Sequence, residues 1–226
     1  MTLGCHIDHL VVAAETLEQG AQWCEATLGV VPAAGGEHPL MGTHNRLLRT
    51  STERYPRSYF EIIAINPAAP APKGARWFDL DDPVLRQAVR QQPRLVHFVA
   101  RTDGATAALE SLQRLGIERG PLMQAERPTP NGLLRWQMSL RPDGQRLFHG
   151  GLPMLIEWDG VHPSDNMGDS GLALQSLEVR HPRWTELKAA YDAIGLRDVA
   201  LKQGPPNLSA SFMTPKGLVT IESAGT

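Results

Sequence analysis

Hydrophobic residues along the chain follow one arrangement that occurs three times. A short apolar run comes first, a segment with apolar residues every three or four positions follows, and a glycine ends that segment. The run predicts a buried strand and the segment an amphipathic helix. In the first copy the strand surrounds His9, Thr16 begins the helix with Gln19 completing a capping box, and Gly29 ends it.

The other two copies keep this spacing. The second strand surrounds His97, and its helix is expected to have Asp103 as N-cap and to end at Gly116. The third strand surrounds Ser176, and its helix is expected to end at Gly195. The interval from the strand residue to the glycine is 20 residues in the first copy and 19 in the other two. This regularity predicts three related structural units.

Short apolar or alternating runs follow each glycine and predict further strands. They are residues 43–49 and 58–65 in the first unit, 133–141 and 152–158 in the second, and 200–202, 208–213 and 218–222 in the third. We therefore predict an α+β fold of repeated βαβββ units. The predicted boundaries are 1–66, 94–160 and 171–226. Residues 67–93 begin with a proline-rich stretch and are expected to form an ordered linker with a short helix at 84–91.

Histidine occupies the same place in the first strands of the first two units. Because side chains alternate across a strand, His9 is expected to share a face with Ile7 and Val11, opposite the helix of its unit. His97 has the equivalent position in the second unit. Two functionally inert core histidines are the alternative interpretation.

A lone carboxylate interrupts the apolar last strand of each of these units. Glu61 lies in the first and Glu157 in the second. A carboxylate in such a run is costly unless it is paired, hydrogen-bonded or bound to a metal. A salt bridge from Glu61 to Arg46 or Arg135 is the alternative to a functional role. Ser176 replaces the histidine in the third unit, so that unit is expected to serve structure or association, with a homodimer as one outcome.

Composition narrows the functional classes. The chain has 226 residues, with 22 Lys and Arg against 24 Asp and Glu, a net charge of −2, and no basic block, which argues against a nucleic-acid partner. It has no apolar run long enough to span a membrane and no leader-like N-terminus, so we expect a cytoplasmic protein. The two cysteines form no Cys-x-x-Cys motif, so any metal must use histidine and carboxylate.

The repeated βαβββ units with this His and Glu pattern resemble the vicinal oxygen chelate superfamily, in particular its glyoxalase I arrangement. Residues 35–48, 59–61 and 76–80 are similar to the glyoxalase-like domain family within it. The resemblance implies that the first two units pair into a cup that binds a divalent metal. The implied ligands are His9, Glu61, His97 and Glu157, a set that suits Zn, Ni, Co, Mn or Fe(II).

The resemblance also implies a metal-dependent lyase or isomerase. It would act on a small substrate with vicinal oxygens through an enediolate, with Glu157 or Glu61 as the catalytic base. An epimerase, an Fe(II) extradiol-type dioxygenase and a non-catalytic small-molecule binding or resistance protein are the alternatives.

Other side chains are candidates for substrate contact. His44 and Asn45 lie on the predicted second strand, and only one of them can face the cup. Trp136 is expected to form an apolar wall or to pack in the core. His38, in a Gly/Pro-rich segment, and His162 are expected to be solvated.

Overall fold

The computed structural model describes residues 4–129 and 132–225. The first unit contains β1 (Cys5–Ala13), α1 (Leu17–Leu28), β2 (Ala33–His38), β3 (Thr43–Arg49) and β4 (Tyr59–Ile65), and the linker contains α2 (Pro83–Gln91). The second unit contains β5 (Arg94–Thr102), α3 (Ala105–Arg114), β6 (Leu122–Thr129), β7 (Gly132–Ser139) and β8 (Met154–Trp158). The third contains β9 (Ala173–Arg180), α4 (Trp184–Ile194), β10 (Ala200–Lys202), β11 (Asn207–Thr214) and β12 (Gly217–Glu222). Among these described residues, no helix has the length and hydrophobicity to cross a membrane.

The first two units share one eight-stranded sheet with the order β2-β3-β4-β1-β5-β8-β7-β6. Within each unit the first strand runs parallel to the last, and β1 joins β5 antiparallel. Leu10 pairs with Phe98, His9 with Val99, and Val11 with His97. This register relates the two units by an approximate twofold, so the predicted equivalence of the two histidine positions is confirmed together with the α+β fold.

The two faces of this sheet are covered differently. On one face α1, α3 and the third unit pack around a continuous apolar core that includes Leu10, Phe60 and Phe98. On the other, concave face a second cluster includes Val11 and Val99. The predicted linker contributes to this second cluster through α2 and a 3₁₀ segment, Trp77–Asp79. The linker therefore fills part of the cup.

The third unit repeats the order of elements but pairs its strands differently. Its sheet has the order β10-β9-β11-β12, and β9 runs parallel to β10, the second strand of its unit, whereas β1 runs parallel to β4, the last strand. The ring of Phe212 meets that of Phe60 at 5.6 Å between centroids. The Tyr191 hydroxyl donates to the Gly151 carbonyl at 2.5 Å. These contacts attach the third unit to the other two.

Local details differ from the sequence predictions in four elements, β1, α3, β2 and β6. A register shift in β1 next to Asp8 moves Ile7 to the helix-side core, away from the face of His9. Helix α3 has Gly104 as its N-cap instead of Asp103. The second strand of each of the first two units, β2 and β6, was not predicted, because their glycine, proline and charged residues obscure the alternation.

Candidate active site

His9 and Glu61 meet on the concave face of the eight-stranded sheet. Their strands β1 and β4 are parallel neighbours, and Glu61 pairs with Val11, two residues beyond His9. Nε2 of His9 lies 3.6 Å from Oε2 of Glu61, and each residue is only 5% exposed. Alternation predicted the facing of this imidazole and an interrupted apolar run indicated this carboxylate, and the structure brings the two together.

Asp8 holds the other side of the His9 ring. The β1 irregularity lets its fully buried carboxylate reach Nδ1 of His9 at 2.6 Å through Oδ1. Oδ2 accepts from Nε1 of Trp158 at 3.0 Å and lies 2.9 Å from Nε2 of His162. Burial alone would raise the pKa of Asp8, but the hydrogen bonds with His162 and His9 hold that pKa well below its usual range. The ionised carboxylate keeps a proton on Nδ1 of His9, so Nε2 is the atom free to exchange one.

Asn45 supports Glu61 from the neighbouring strand. Its Nδ2 donates to Oε1 of Glu61 at 2.6 Å, and its Oδ1 accepts from the Gly36 amide at 2.7 Å. A Cβ atom added at Gly35 would overlap Asn45, which explains why β2 needs a glycine there. Of the two candidates on β3, Asn45 is the one that faces the cup. His44 is less buried, and its pKa is lowered by its partial burial.

His38 completes this network from the end of β2. It is half-buried instead of solvated, with Nδ1 3.0 Å from the Thr43 hydroxyl and Nε2 3.3 Å from Nδ2 of Asn45. Its ring lies 5.0 Å from that of Trp77 in an edge contact. Burial lowers the pKa of His38 to about 4, so the ring is neutral near pH 7.

Asp8 and His162 are site residues that the sequence interpretation missed. His162 was expected to be solvated, but it is 1% exposed and contacts Asp8 through Nε2. A signal for Asp8 was present, since it is a carboxylate inside an apolar strand, the same feature that indicated Glu61. His162 gave no comparable signal, because its contact with Asp8 spans 154 positions of the chain.

His97 occupies its predicted register but makes different contacts from His9. It is fully buried, with its ring 5.2 Å from that of Phe78. Nε2 accepts from the Met154 amide at 3.1 Å and lies 3.3 Å from Nη2 of Arg119. Burial, followed by the charges of Arg119 and Arg146, holds the pKa of His97 well below its usual range. The lone pair of this neutral ring is therefore already used by the protein.

Glu157 serves as a cap of helix α3. Its Oε2 accepts from the Ala105 amide at 2.9 Å and from Nε2 of Gln137 at 3.1 Å. A carboxylate is favourable at a helix N-terminus. The register explains this placement: Val99 pairs with Met154 as Val11 pairs with Glu61. Met154, not Glu157, is thus the positional counterpart of Glu61.

These contacts bear on the metal site that the resemblance implied. Of its four residues, the structure brings His9 and Glu61 together, while His97 and Glu157 are engaged by backbone amides elsewhere. Within residues 4–129 and 132–225, no group of three or more His, Cys, Asp or Glu side chains is arranged to hold a metal ion. The donor set present does not fit the four-ligand site.

A cleft of about 1540 Å³ opens between the β2–β3 and β6–β7 hairpins. Among the described residues its lining includes His38 and Trp158, which contact Asn45 and Asp8 of the site, but not His9 or Glu61 themselves. Its lining includes Trp77, Trp136 and Trp158, and the last two rings lie 5.4 Å apart. Trp136, expected either to form an apolar wall or to pack in the core, lines the cleft and also packs against the second apolar cluster. The cleft can enclose a small molecule with an apolar body.

We compared this architecture with the folds of known proteins. A hypothetical protein from Staphylococcus aureus has a similar fold, with 14% identity, a TM-score of 0.61, and coverage of 96% of this chain and 85% of that one. A methylmalonyl-CoA epimerase from Streptomyces coelicolor was also found, at 17% identity, a TM-score of 0.44, and coverage of 71% of this chain and 99% of that one. A search of the curated proteins found no match.

The family comparison is more specific. A family described as a glyoxalase-like domain matches residues 7–195, which include both units of the eight-stranded sheet, the linker, and the third unit as far as α4. This chain therefore belongs to the glyoxalase-like domain family.

Proposed function

We propose that this protein is a glyoxalase-like lyase or isomerase that moves a proton on a small carbonyl compound bound in the cleft. Glu61 and His9 form the acid–base pair. The observation that carries this proposal is the 3.6 Å approach of Nε2 of His9 to Oε2 of Glu61, two groups buried behind the cleft lining and each oriented by a further side chain.

The two groups have different roles. Glu61, as a carboxylate, removes the proton from the carbon next to the substrate carbonyl. His9 exchanges a proton at the developing enediolate oxygen through Nε2, because its Nδ1 is held by Asp8. Return of the proton from Glu61 to the neighbouring carbon gives an isomerised product. Epimerisation, one of the alternatives, needs a second proton donor on the opposite face of the same carbon.

No step of this proposal passes through a metal ion, because the donor set does not fit the predicted four-ligand site. The dioxygenase alternative needs two imidazoles and one carboxylate on a single iron. His9 and Glu61 supply one of each, and among the described residues no third His, Cys, Asp or Glu completes such a group with them. The binding-protein alternative has one observation in its favour, the tryptophan-lined cleft, and the experiment below distinguishes it.

The test is proton exchange. Small 2-oxo and 2-hydroxycarbonyl compounds, with and without glutathione, are incubated with the protein in D₂O, and loss of the α-proton signal is followed by NMR. Glu61→Gln should keep the fold, since the side chains are nearly isosteric, and should slow exchange by about 10²- to 10⁴-fold. Glu186→Gln is the matched control, because Glu186 is exposed on α4, paired with Arg183 and outside the cleft lining.

Two results would contradict the proposal. One is exchange in Glu61→Gln at the wild-type rate. The other is saturable ligand binding by the wild type with no exchange across the panel, which would favour the binding-protein alternative.

A further inference from the structure

Arg127 extends across the mouth of the cleft. It lies on β6, where pairing with Leu134 of β7 places it on the concave side, in the lining of the cleft. A Cβ atom added at Gly36 of β2 would overlap the Arg127 guanidinium. Strands β2 and β6 are the two edges of the eight-stranded sheet, so this side chain connects opposite walls of the cup.

The Arg127 guanidinium has no counter-ion among the described residues. None of their ion pairs or hydrogen bonds includes it, although the residue is half-buried. Its neighbour on β7, Arg135, pairs with Glu126 at 3.3 Å. Burial is the main cause of the lowered pKa of His38, and the charge of Arg127 lowers it further. Burial raises the pKa of Tyr59 well above its usual range, and the charge of Arg127 opposes part of that rise. The guanidinium therefore acts electrostatically on the candidate active site.

Trp77 offers a second donor in the same cleft. The residue is 8% exposed, lines the cleft and contacts His38 through its ring. Its Nε1 has no hydrogen-bond partner among the described residues. An indole N–H can only donate, and a buried donor without an acceptor costs free energy. Two residues of the cleft lining, Arg127 and Trp77, thus carry donors without a partner among the described residues, and one of these donors is cationic.

We propose that Arg127 and Trp77 form a carboxylate-binding subsite, so that the substrate is a 2-oxo or 2-hydroxy acid with an apolar body. This rests on the proposed function, since it assigns the substrate class of the same site. A planar guanidinium matches a carboxylate with two parallel hydrogen bonds, and one cation balances one negative charge. The tryptophan-lined walls suit an apolar substituent.

The experiment compares an acid with its neutral ester. Isothermal titration calorimetry measures the affinities of phenylpyruvate, methyl phenylpyruvate and inorganic phosphate for the full-length protein. The wild type should bind the acid at least about tenfold more tightly than the ester. Arg127→Gln should weaken acid binding by at least about tenfold and ester binding by less than about twofold. Arg180→Gln is the matched control and should change neither affinity, because Arg180 is exposed on β9, pairs with Glu178 and lies outside the cleft lining.

Two further variants separate the components of the subsite. Gly36→Ala keeps the charge but displaces the guanidinium, so it should reproduce the effect of Arg127→Gln. Trp77→Phe keeps the ring and removes the N–H, so it should weaken acid binding about 3- to 10-fold without affecting the ester. Circular dichroism checks that each variant is folded.

The proposal is overturned if the wild type does not bind phenylpyruvate, binds acid and ester equally, or binds phosphate as tightly as the acid. Equal weakening of acid and ester in Arg127→Gln would also overturn it. Binding is measured without turnover, so the two proposals can fail separately. Arg127-dependent acid binding without α-proton exchange supports the subsite and contradicts the proposed function. If exchange depends on Glu61 but Arg127→Gln leaves acid binding unchanged, the result supports the proposed function and contradicts the subsite.

Discussion

Asp8 illustrates how single residues determine what the two histidines of the sheet can do. His9 has this carboxylate on Nδ1, which leaves Nε2 facing Glu61. His97 occupies the equivalent register, but its Nε2 accepts from the Met154 amide and lies beside Arg119. Equivalent positions in the two units therefore carry different chemistry, and the proposed acid–base function belongs to the first unit alone.

Replacing Glu157 tests its role as a cap. Glu157→Ala removes the acceptor for the Ala105 amide, so the free energy of unfolding should fall by about 1 kcal/mol, while α-proton exchange stays at the wild-type rate. Urea denaturation and the NMR exchange assay measure the two quantities. Glu126→Ala is the control and should cost less than about 0.5 kcal/mol, because its ion pair with Arg135 is exposed. A large loss of exchange in Glu157→Ala would instead identify Glu157 as the base.

At the residue scale, alternation predicted the facing of His9 and an interrupted apolar run indicated Glu61, because both lie on largely apolar strands. On β3, alternation left the choice between His44 and Asn45 open. Alternation could not predict where Glu157 lies, because the position of a residue on β8 relative to the site depends on the register in which β8 pairs with β5. Nor could it predict the surroundings of His97, which come from Phe78, Arg119 and other distant positions. Such contacts follow from tertiary packing and leave no local pattern.

For helices and strands too, features with a local cause could be predicted from the sequence, and features that depend on distant contacts could not. Helix boundaries were predictable where a cap was present, as with Thr16, whose hydroxyl accepts from the Gln19 amide, and Gly29, which adopts the left-handed conformation. The order of elements in the third unit was also predictable from its spacing. The strand pairing of the third unit could not be predicted. Whether β10 or β12 becomes the parallel neighbour of β9 depends on contacts between residues far apart in the chain.

Removing one hydroxyl tests the attachment of the third unit. Tyr191→Phe leaves the buried Gly151 carbonyl without its 2.5 Å donor, so the free energy of unfolding should fall by about 1–2 kcal/mol. Tyr55→Phe is the matched control: its hydroxyl bond to the Asp198 carbonyl is 3.4 Å long, and its loss should cost less. Urea denaturation measures both variants. If the free energy of unfolding falls equally in the two variants, the Tyr191 hydrogen bond stabilises the fold no more than the long Tyr55 hydrogen bond does.

At the scale of the whole molecule, the three units share one core on the helix side of the large sheet. Phe212 of β11 packs among residues that also contact Phe60 and Phe98, so the third unit covers apolar surface of the first two. This placement supports the structural role predicted for the unit. The homodimer expected from its exposed sheet edge stays a prediction, and light scattering tests it.

The folded molecule should lose stability as the pH falls below neutrality. Burial, reinforced by Arg119 and Arg146, keeps His97 neutral in the folded state. In the unfolded chain a histidine takes up a proton near pH 6.5, so acidification through that value stabilises the unfolded state and lowers the free energy of unfolding. Asp8 acts in a lower window: its depressed pKa contributes stability that is lost only below about pH 4.

His97→Gln isolates this effect, since glutamine can still accept from the Met154 amide but does not titrate. The difference in unfolding free energy between pH 7 and pH 5, obtained by urea denaturation, should be smaller in the variant than in the wild type. One histidine contributes a slope of at most about 1.4 kcal/mol per pH unit. A His97→Gln profile parallel to that of the wild type would mean that the His97 ring is protonated to the same extent in the folded and unfolded states.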